Sequence, residues 1–254
     1  MGKKGKVGRL KRNPAPRFWP IHRKEAVWIV RPSSGPHSLE KCLPLSIVLR
    51  DILKVAETRK EAKKIISQGK VHIDGKVRLK DDFPIGLMDI ISMPDLKEFY
   101  RVLPSHKGLF LHPISKEEAS FKLLRVEDKS LVKGGKSQIA FHDGTALLAK
   151  AEGPENEEAV YETFATLKLA LPEKQVIDQL KTRKGNIAII TGGKNIGKQG
   201  KIVEIEKAEA KKRRNALVVV EDEKGDRYQT ILNFVFSIGG AKSLISLPEA
   251  DSVV

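Results

Sequence analysis

Arg50, Lys54, Arg59, Lys60, Lys63 and Lys64, followed by Lys70, His72, Lys76 and Arg78, form a basic run whose chemistry is the neutralisation of phosphates. Glu57 and Glu61 are the nearby acidic exceptions. A solvated helix face usually mixes signs and gains i,i+4 support, so segregation of this kind points to a nucleic acid. Other candidate chemistries are weaker. Gly192, Gly197 and Lys198 almost complete a phosphate-binding P-loop, but Gln199 stands where the magnesium-binding hydroxyl belongs. A strand is expected after it, so no helix N-terminus would face a phosphate. The glycines then serve a turn needing positive φ, and Lys194, Asn195, Lys198 and Lys201 are left to meet RNA. His142-Asp143 has the composition of a metal-dependent hydrolase dyad but precedes Gly144 in a turn-like context, and the histidines lack metal spacing. Glu117-Glu118 and Asp81-Asp82 are adjacent, so their side chains diverge on helix or strand. No catalytic residue, metal, cofactor or small-molecule substrate is expected.

The cations need elements to hold them. At 100° per residue, Leu45, Val48, Leu49, Ile52 and Ala56 fall on one face of a first helix, with Arg50 and Lys54 opposite. A second helix opens on Thr58-Arg-Lys-Glu61, a capping-box pattern, and ends at Gly69. Ala62, Ile65 and Ile66 make its apolar stripe. Residues 71–79 read as a hairpin with an Asp74-Gly75 turn.

The bulk composition agrees. The chain has 254 residues, with 47 Lys+Arg against 32 Asp+Glu and a net charge of +15. The excess calls for a polyanionic partner. No apolar run of about 18 residues and no signal-like segment appears, so a soluble intracellular protein without a membrane partner is expected. The single cysteine, Cys42, excludes an internal disulfide framework and a Cys-based zinc cage. It reads as a small buried hydrophobe.

Four regions follow. Residues 1–43 begin as a basic arm: Lys3, Lys4, Lys6, Arg9, Lys11, Arg12, Arg17 and Arg23 occur with no acid before residue 25, broken by Gly and Pro. Trp19 and His22 interleave with the charge and are suited to base contacts. Residues 1–24 are expected to be disordered until they thread along RNA. Val27–Val30 is strand-like, and the turn-rich loop after it offers Arg31, Ser34 and His37. Residues 44–90 are the helix–helix–hairpin module. Residues 91–178 show short apolar runs between recurrent turn signals, a central β-rich domain with an acidic stretch at 152–162. In residues 179–254, five short strands with no intervening helix suggest an SH3-like barrel. In the strand from Lys201, Val203 and Ile205 alternate with Glu204 and Glu206. The fold class is α+β.

Two segments resemble known modules. The helix–helix–hairpin unit resembles the RNA-binding module of bacterial small-subunit ribosomal protein four, and residues 186–203 resemble a KOW motif. Taken with Arg31-Pro-Ser-Ser-Gly-Pro-His37, Cys42-Leu-Pro-Leu45, Ile73-Asp-Gly-Lys-Val-Arg78, Gly86-Leu-Met-Asp-Ile-Ile-Ser92 and Asn233-Phe-Val-Phe-Ser-Ile-Gly239, nearly the whole chain resembles ribosomal protein four of the archaeal–eukaryotic type. The chain stops soon after Pro248 without a basic extension, which favours the archaeal form. The resemblance implies a non-catalytic cytoplasmic constituent of the small ribosomal subunit that binds rRNA and neighbouring ribosomal proteins and is not a homo-oligomer. An RNA-modifying enzyme, or a translation or transcription factor carrying the same modules, is the alternative.

Overall fold

The computed structural model describes residues 9–133, 136–149, 161–206 and 213–248. Strands β1 (Leu10–Lys11) and β2 (Trp28–Ile29) pair as a small hairpin. Strand β3 (Leu43–Pro44) leads into α1 (Leu45–Ile47), which runs on as a π-helical turn over Val48–Ile52. The Leu53 N–H donates to the Val48 carbonyl at 2.9 Å, and Lys54 turns the chain at φ +54°. The first helix is therefore shorter than its apolar spacing suggests. Ala56 is buried beyond its end, and Lys54 terminates the helix instead of stacking a turn above Arg50.

Helix α2 (Arg59–Ser67) starts as expected. The Thr58 hydroxyl accepts the Glu61 N–H at 3.3 Å, and the Glu61 carboxylate accepts the Thr58 N–H at 3.4 Å. Gly69, at φ +77°, closes it. Strands β4 (His72–Ile73) and β5 (Lys76–Val77) are joined by Asp74 at φ +51° and Gly75 at φ +73°. Positive φ at both turn residues is the hairpin geometry whose twist matches the strands.

Strand β6 (Pro84–Ile85) pairs with β3. Strands β7 (Ile90–Met93), β8 (Glu98–Ser105) and β9 (Gly108–Pro113) complete a five-stranded sheet ordered β5-β4-β7-β8-β9. Because β7 pairs with β4 on one side and β8 on the other, this sheet runs across the boundary expected at residue 90. Strands β10 (Phe121–Val132), β11 (Lys136–Phe141), β12 (Ala146–Ala149), β13 (Thr166–Ala170) and β14 (Gln175–Leu180) form a second sheet ordered β12-β11-β10-β13-β14. Residues 150–160, which hold most of the acidic stretch, lie outside the described residues.

The third sheet has the five strands expected: β15 (Ile187–Ile190), β16 (Gln199–Glu206), β17 (Leu217–Glu221), β18 (Arg227–Ile231) and β19 (Val235–Gly239), ordered β18-β17-β16-β15-β19. A bulge between Ile202 and Glu204 interrupts the alternation in β16. It buries Ile202 and leaves Val203 39% exposed.

The units share their cores. Met88, Leu103, Leu123, Ile189, Phe236 and Ile245 belong to one buried cluster that joins all three sheets. Residues 9–24 also depart from expectation. Ala15 and Trp19 are buried in the first core, with Leu10, Phe18 and Ile21 packed against it. The Trp19 Nε1–H donates to the Cys42 carbonyl at 2.9 Å. The segment is too polar to fold alone, but it borrows a core that its neighbours have already built.

Candidate nucleic-acid interface

On α2 the apolar stripe and the charge separate as helical geometry dictates. Ala62 and Ile66 are buried against the first core, whereas Lys60, Lys63 and Lys64 are exposed. Lys64 also lies in the last turn, where the helix dipole favours a cation. Arg59 is exposed but paired, its Nη2 2.8 Å from the Asp81 carboxylate. The hairpin adds exposed Lys76, half-buried His72 and Arg78, whose guanidinium stacks 4.3 Å over the Phe83 ring. Lys70 is exposed and pairs with Asp95 at 3.3 Å.

The loop between β15 and β16 turns on Gly193 (φ +80°) and Gly197 (φ +85°). A Cβ at Gly197 would lie 3.0 Å from the Ser105 Cα, so the loop rests against the β8–β9 turn. Lys194, Lys198 and Lys201 are exposed around it. Lys198 sits 5.3 Å over the Tyr228 ring, and the Asn195 amide is tied to the Gln229 carbonyl at 3.2 Å. A strand, β16, follows the loop, so no helix dipole points into it.

The N-terminal residues divide. Arg9, Lys11, Arg17, His22 and Ser34 are exposed and Arg31 is half-buried, while Lys3, Lys4 and Lys6 lie outside the described residues. Others are engaged within the fold: Trp19, Arg12 and His37 are buried, which corrects their assignment to RNA contact, whereas Arg23 and Arg50 are half-buried and hold intramolecular partners. Trp19 is only 3% exposed. Arg12 is buried and donates to the His22 carbonyl and, at 2.9 Å, to Glu25. Arg23 donates to the carbonyls of Arg12, Asn13, Ala15 and Pro16. His37 is buried with Nε2 2.9 Å from Asp89. Arg50 is half-buried and bidentate to Asp51 at 2.9 and 2.7 Å. In each case a carbonyl or carboxylate of the fold has taken donors that composition offered to RNA, and the Trp19 indole also fills the core.

Beneath this surface lies an ionic cluster not foreseen from the sequence. Lys122, in β10, places its ammonium 2.7 Å from Asp74, 2.5 Å from Asp89 and 3.4 Å from Asp143. Burial alone would lower the Lys122 pKa; the three carboxylates overcome it and hold the group well above an ordinary lysine. Asp89, despite its own burial, is held below the usual carboxylate range by Lys122 and His37. Arg125 crosses from the second sheet to the third, donating to the Asn233 and Val235 carbonyls at 2.8 and 2.9 Å. His142 Nδ1 accepts the Arg125 N–H at 3.2 Å, and its Nε2 lies 3.2 Å from the Leu87 carbonyl. Burial pushes His142 down to about 3. The dyad His142-Asp143 is thus a structural pair, and Cys42 is a buried thiol pushed up to about 12, first by burial. Sequence patterns carry no signal for such a cluster, because its members come from four separate loops and strands.

No described helix is long and apolar enough to cross a membrane. Among the described residues, no group of three or more His, Cys, Asp or Glu could hold a metal ion.

A capped two-helix unit with a basic hairpin, followed by a glycine-looped five-stranded barrel, defines an S4-plus-KOW protein. Family models match in that order: the RS4NT domain at residues 4–40, the S4 domain at 43–91, ribosomal family S4e at 96–176 and the KOW motif at 184–221. The chain is 46% identical to the small ribosomal subunit protein eS4 of Staphylothermus marinus, over 98% of this chain and 99% of the relative. It is 41% identical to that of Methanothermobacter thermautotrophicus, over 94% and 95%. The crystal structure of the 30S ribosomal protein S4e from Thermoplasma acidophilum superposes with a TM-score of 0.65 at 30% identity, covering 80% of this chain and 97% of that one. This chain belongs to the S4e family of ribosomal proteins.

Proposed function

We propose that this chain is a non-catalytic constituent of the small ribosomal subunit in the cytoplasm, holding folded rRNA and touching neighbouring ribosomal proteins. The observation that carries the reading is end-to-end similarity to relatives that bear the name small ribosomal subunit protein eS4. The cationic face of α2, the β4–β5 hairpin, the N-terminal hairpin and the β15–β16 loop are the surfaces proposed to grip RNA. Each is a weak site alone; held at fixed spacing on one body, they gain through effective concentration. Recognition would follow RNA shape more than base edges, because the exposed groups are mostly Lys and Arg aimed at phosphates.

The test is co-sedimentation of the tagged full-length chain with small subunits through a high-salt gradient. Salt-stable migration with the small subunit is the expected result. A chain that stays at the top of the gradient, or follows polymerase or free tRNA instead, overturns the reading.

A further inference from the structure

Of the two tryptophans, one is core and the other is surface, and the division follows strand parity. In the β1–β2 ladder Lys11 stands opposite Trp28 and Leu10 opposite Ile29. Cross-strand partners share a face. Leu10 and Ile29 pack on the first core, so Arg9, Lys11 and Trp28 must project the other way. They do: Trp28 is 51% exposed, with the Arg9 guanidinium 5.8 Å and the Lys11 ammonium 5.9 Å from its ring centroid. The hairpin beneath is pinned. The Arg12 N–H donates to the Val27 carbonyl at 2.9 Å, Arg12 also holds Glu25, and Arg23 gathers four carbonyls of the preceding turn.

We infer that Trp28, flanked by Arg9 and Lys11, is a stacking platform for one unpaired nucleobase of RNA. The site rests on the rRNA-binding reading above and specifies part of it. A large indole left in water on a rigid hairpin offers a flat π-face at low ordering cost. Cations on either side suit the phosphates that bracket a splayed base. Phosphate neutralisation alone would need the cations and not the indole. A fully paired duplex hides its base faces in the stack, so the ligand is single-stranded or looped RNA.

Intrinsic fluorescence of the full-length protein tests this. Trp28 dominates the accessible emission because Trp19 is buried. The probes are a single-stranded oligo(A) of about 12 nucleotides, which fits common single-strand site sizes, a blunt RNA duplex of equal length, and vesicles of anionic phosphatidylglycerol. Oligo(A) should quench the emission, and the quench should vanish in Trp28→Phe. Trp28→Ala should weaken oligo(A) on the order of 10–100-fold and the duplex far less, with Trp28→Phe recovering part of the loss. Unquenched emission with oligo(A) bound, or equal losses on both RNAs, overturns the platform. A blue shift on vesicles with no response to oligo(A) also overturns it, in favour of a membrane surface. Failure of the wild-type chain to co-sediment with small subunits would sink the ribosomal reading, while the oligo(A) quench would still decide this one.

Discussion

The Lys122 ammonium lies 2.5 Å from the Asp89 carboxylate, with both side chains 1% exposed. It is the cation that three acids share at the junction of the first two sheets. Lys122→Met should destabilise the protein by about 3–5 kcal/mol, because it leaves buried carboxylates without their partner. Adding Asp89→Asn to that variant should restore part of the loss. Urea denaturation at neutral pH reads both, and additive losses would show that the two residues do not act on each other.

His142 sets a pH dependence. Its two hydrogen bonds suit one neutral tautomer, with the proton on Nε2 facing the Leu87 carbonyl and Nδ1 accepting from Arg125. The folded pKa of about 3 lies below the ordinary value of 6.5. Between those values the unfolded chain binds more protons, so stability rises with pH. The contribution is complete above about pH 6.5 and is lost as pH falls toward the folded value, at up to about 1.4 kcal/mol per pH unit. Denaturation midpoints taken between about pH 4 and 7 should show this slope, and His142→Gln should flatten it.

Trp19→Ala should cost about 3–5 kcal/mol through the cavity it opens, and more if the Cys42 carbonyl stays dry. Amide exchange should show protection of the Arg12 and Ile21 N–H groups in the free wild-type protein, both of which are hydrogen-bonded, and its loss in the variant. Absent protection in the wild type would return the segment to the disordered arm that its composition suggests.

For the α2 face, Lys60→Glu with Lys63→Glu is the cleaner pair, since Arg59 is held by Asp81. Binding to small-subunit rRNA should weaken across all sequences tested. The slope of log affinity against log salt should drop by about 0.7–0.9 for each phosphate that is no longer neutralised. An unchanged slope would mean that these lysines are only solvated.

How far the sequence can be read depends on whether an element is local. The Thr58–Glu61 box, the Gly69 stop and the Asp74-Gly75 turn depend on residues a few positions apart, and each forms as expected. The five strands of the third sheet are also visible, because each is a short apolar run between turn signals. The first helix is shorter than expected: apolar spacing continues to Ala56, but a π turn and a left-handed Lys54 end it earlier. The arm differs from its composition because composition describes what a segment can bury by itself, and Trp19 is buried by residues that follow it. Of the candidate RNA contacts, the α2 and loop lysines are exposed, whereas Arg12, Trp19 and His37 have partners farther along the chain and Arg23 has partners that precede it, none of which a spacing rule reveals. Trp28 stands out from its strand-like run only through its parity against Ile29.

The buried cluster also bears on synthesis. A ribosome releases this chain from its N-terminus, and domains tend to fold as they emerge. Asp74 and Asp89 appear well before Lys122, and Asp143 later still. Once the strands up to Ser105 are clear of the exit tunnel, the first sheet can therefore be partly laid down while its buried carboxylates still wait for their cation. Such an intermediate should stay open to protease until the strand carrying Lys122 clears the exit tunnel. The checkpoint for folding the first unit is then written in the second.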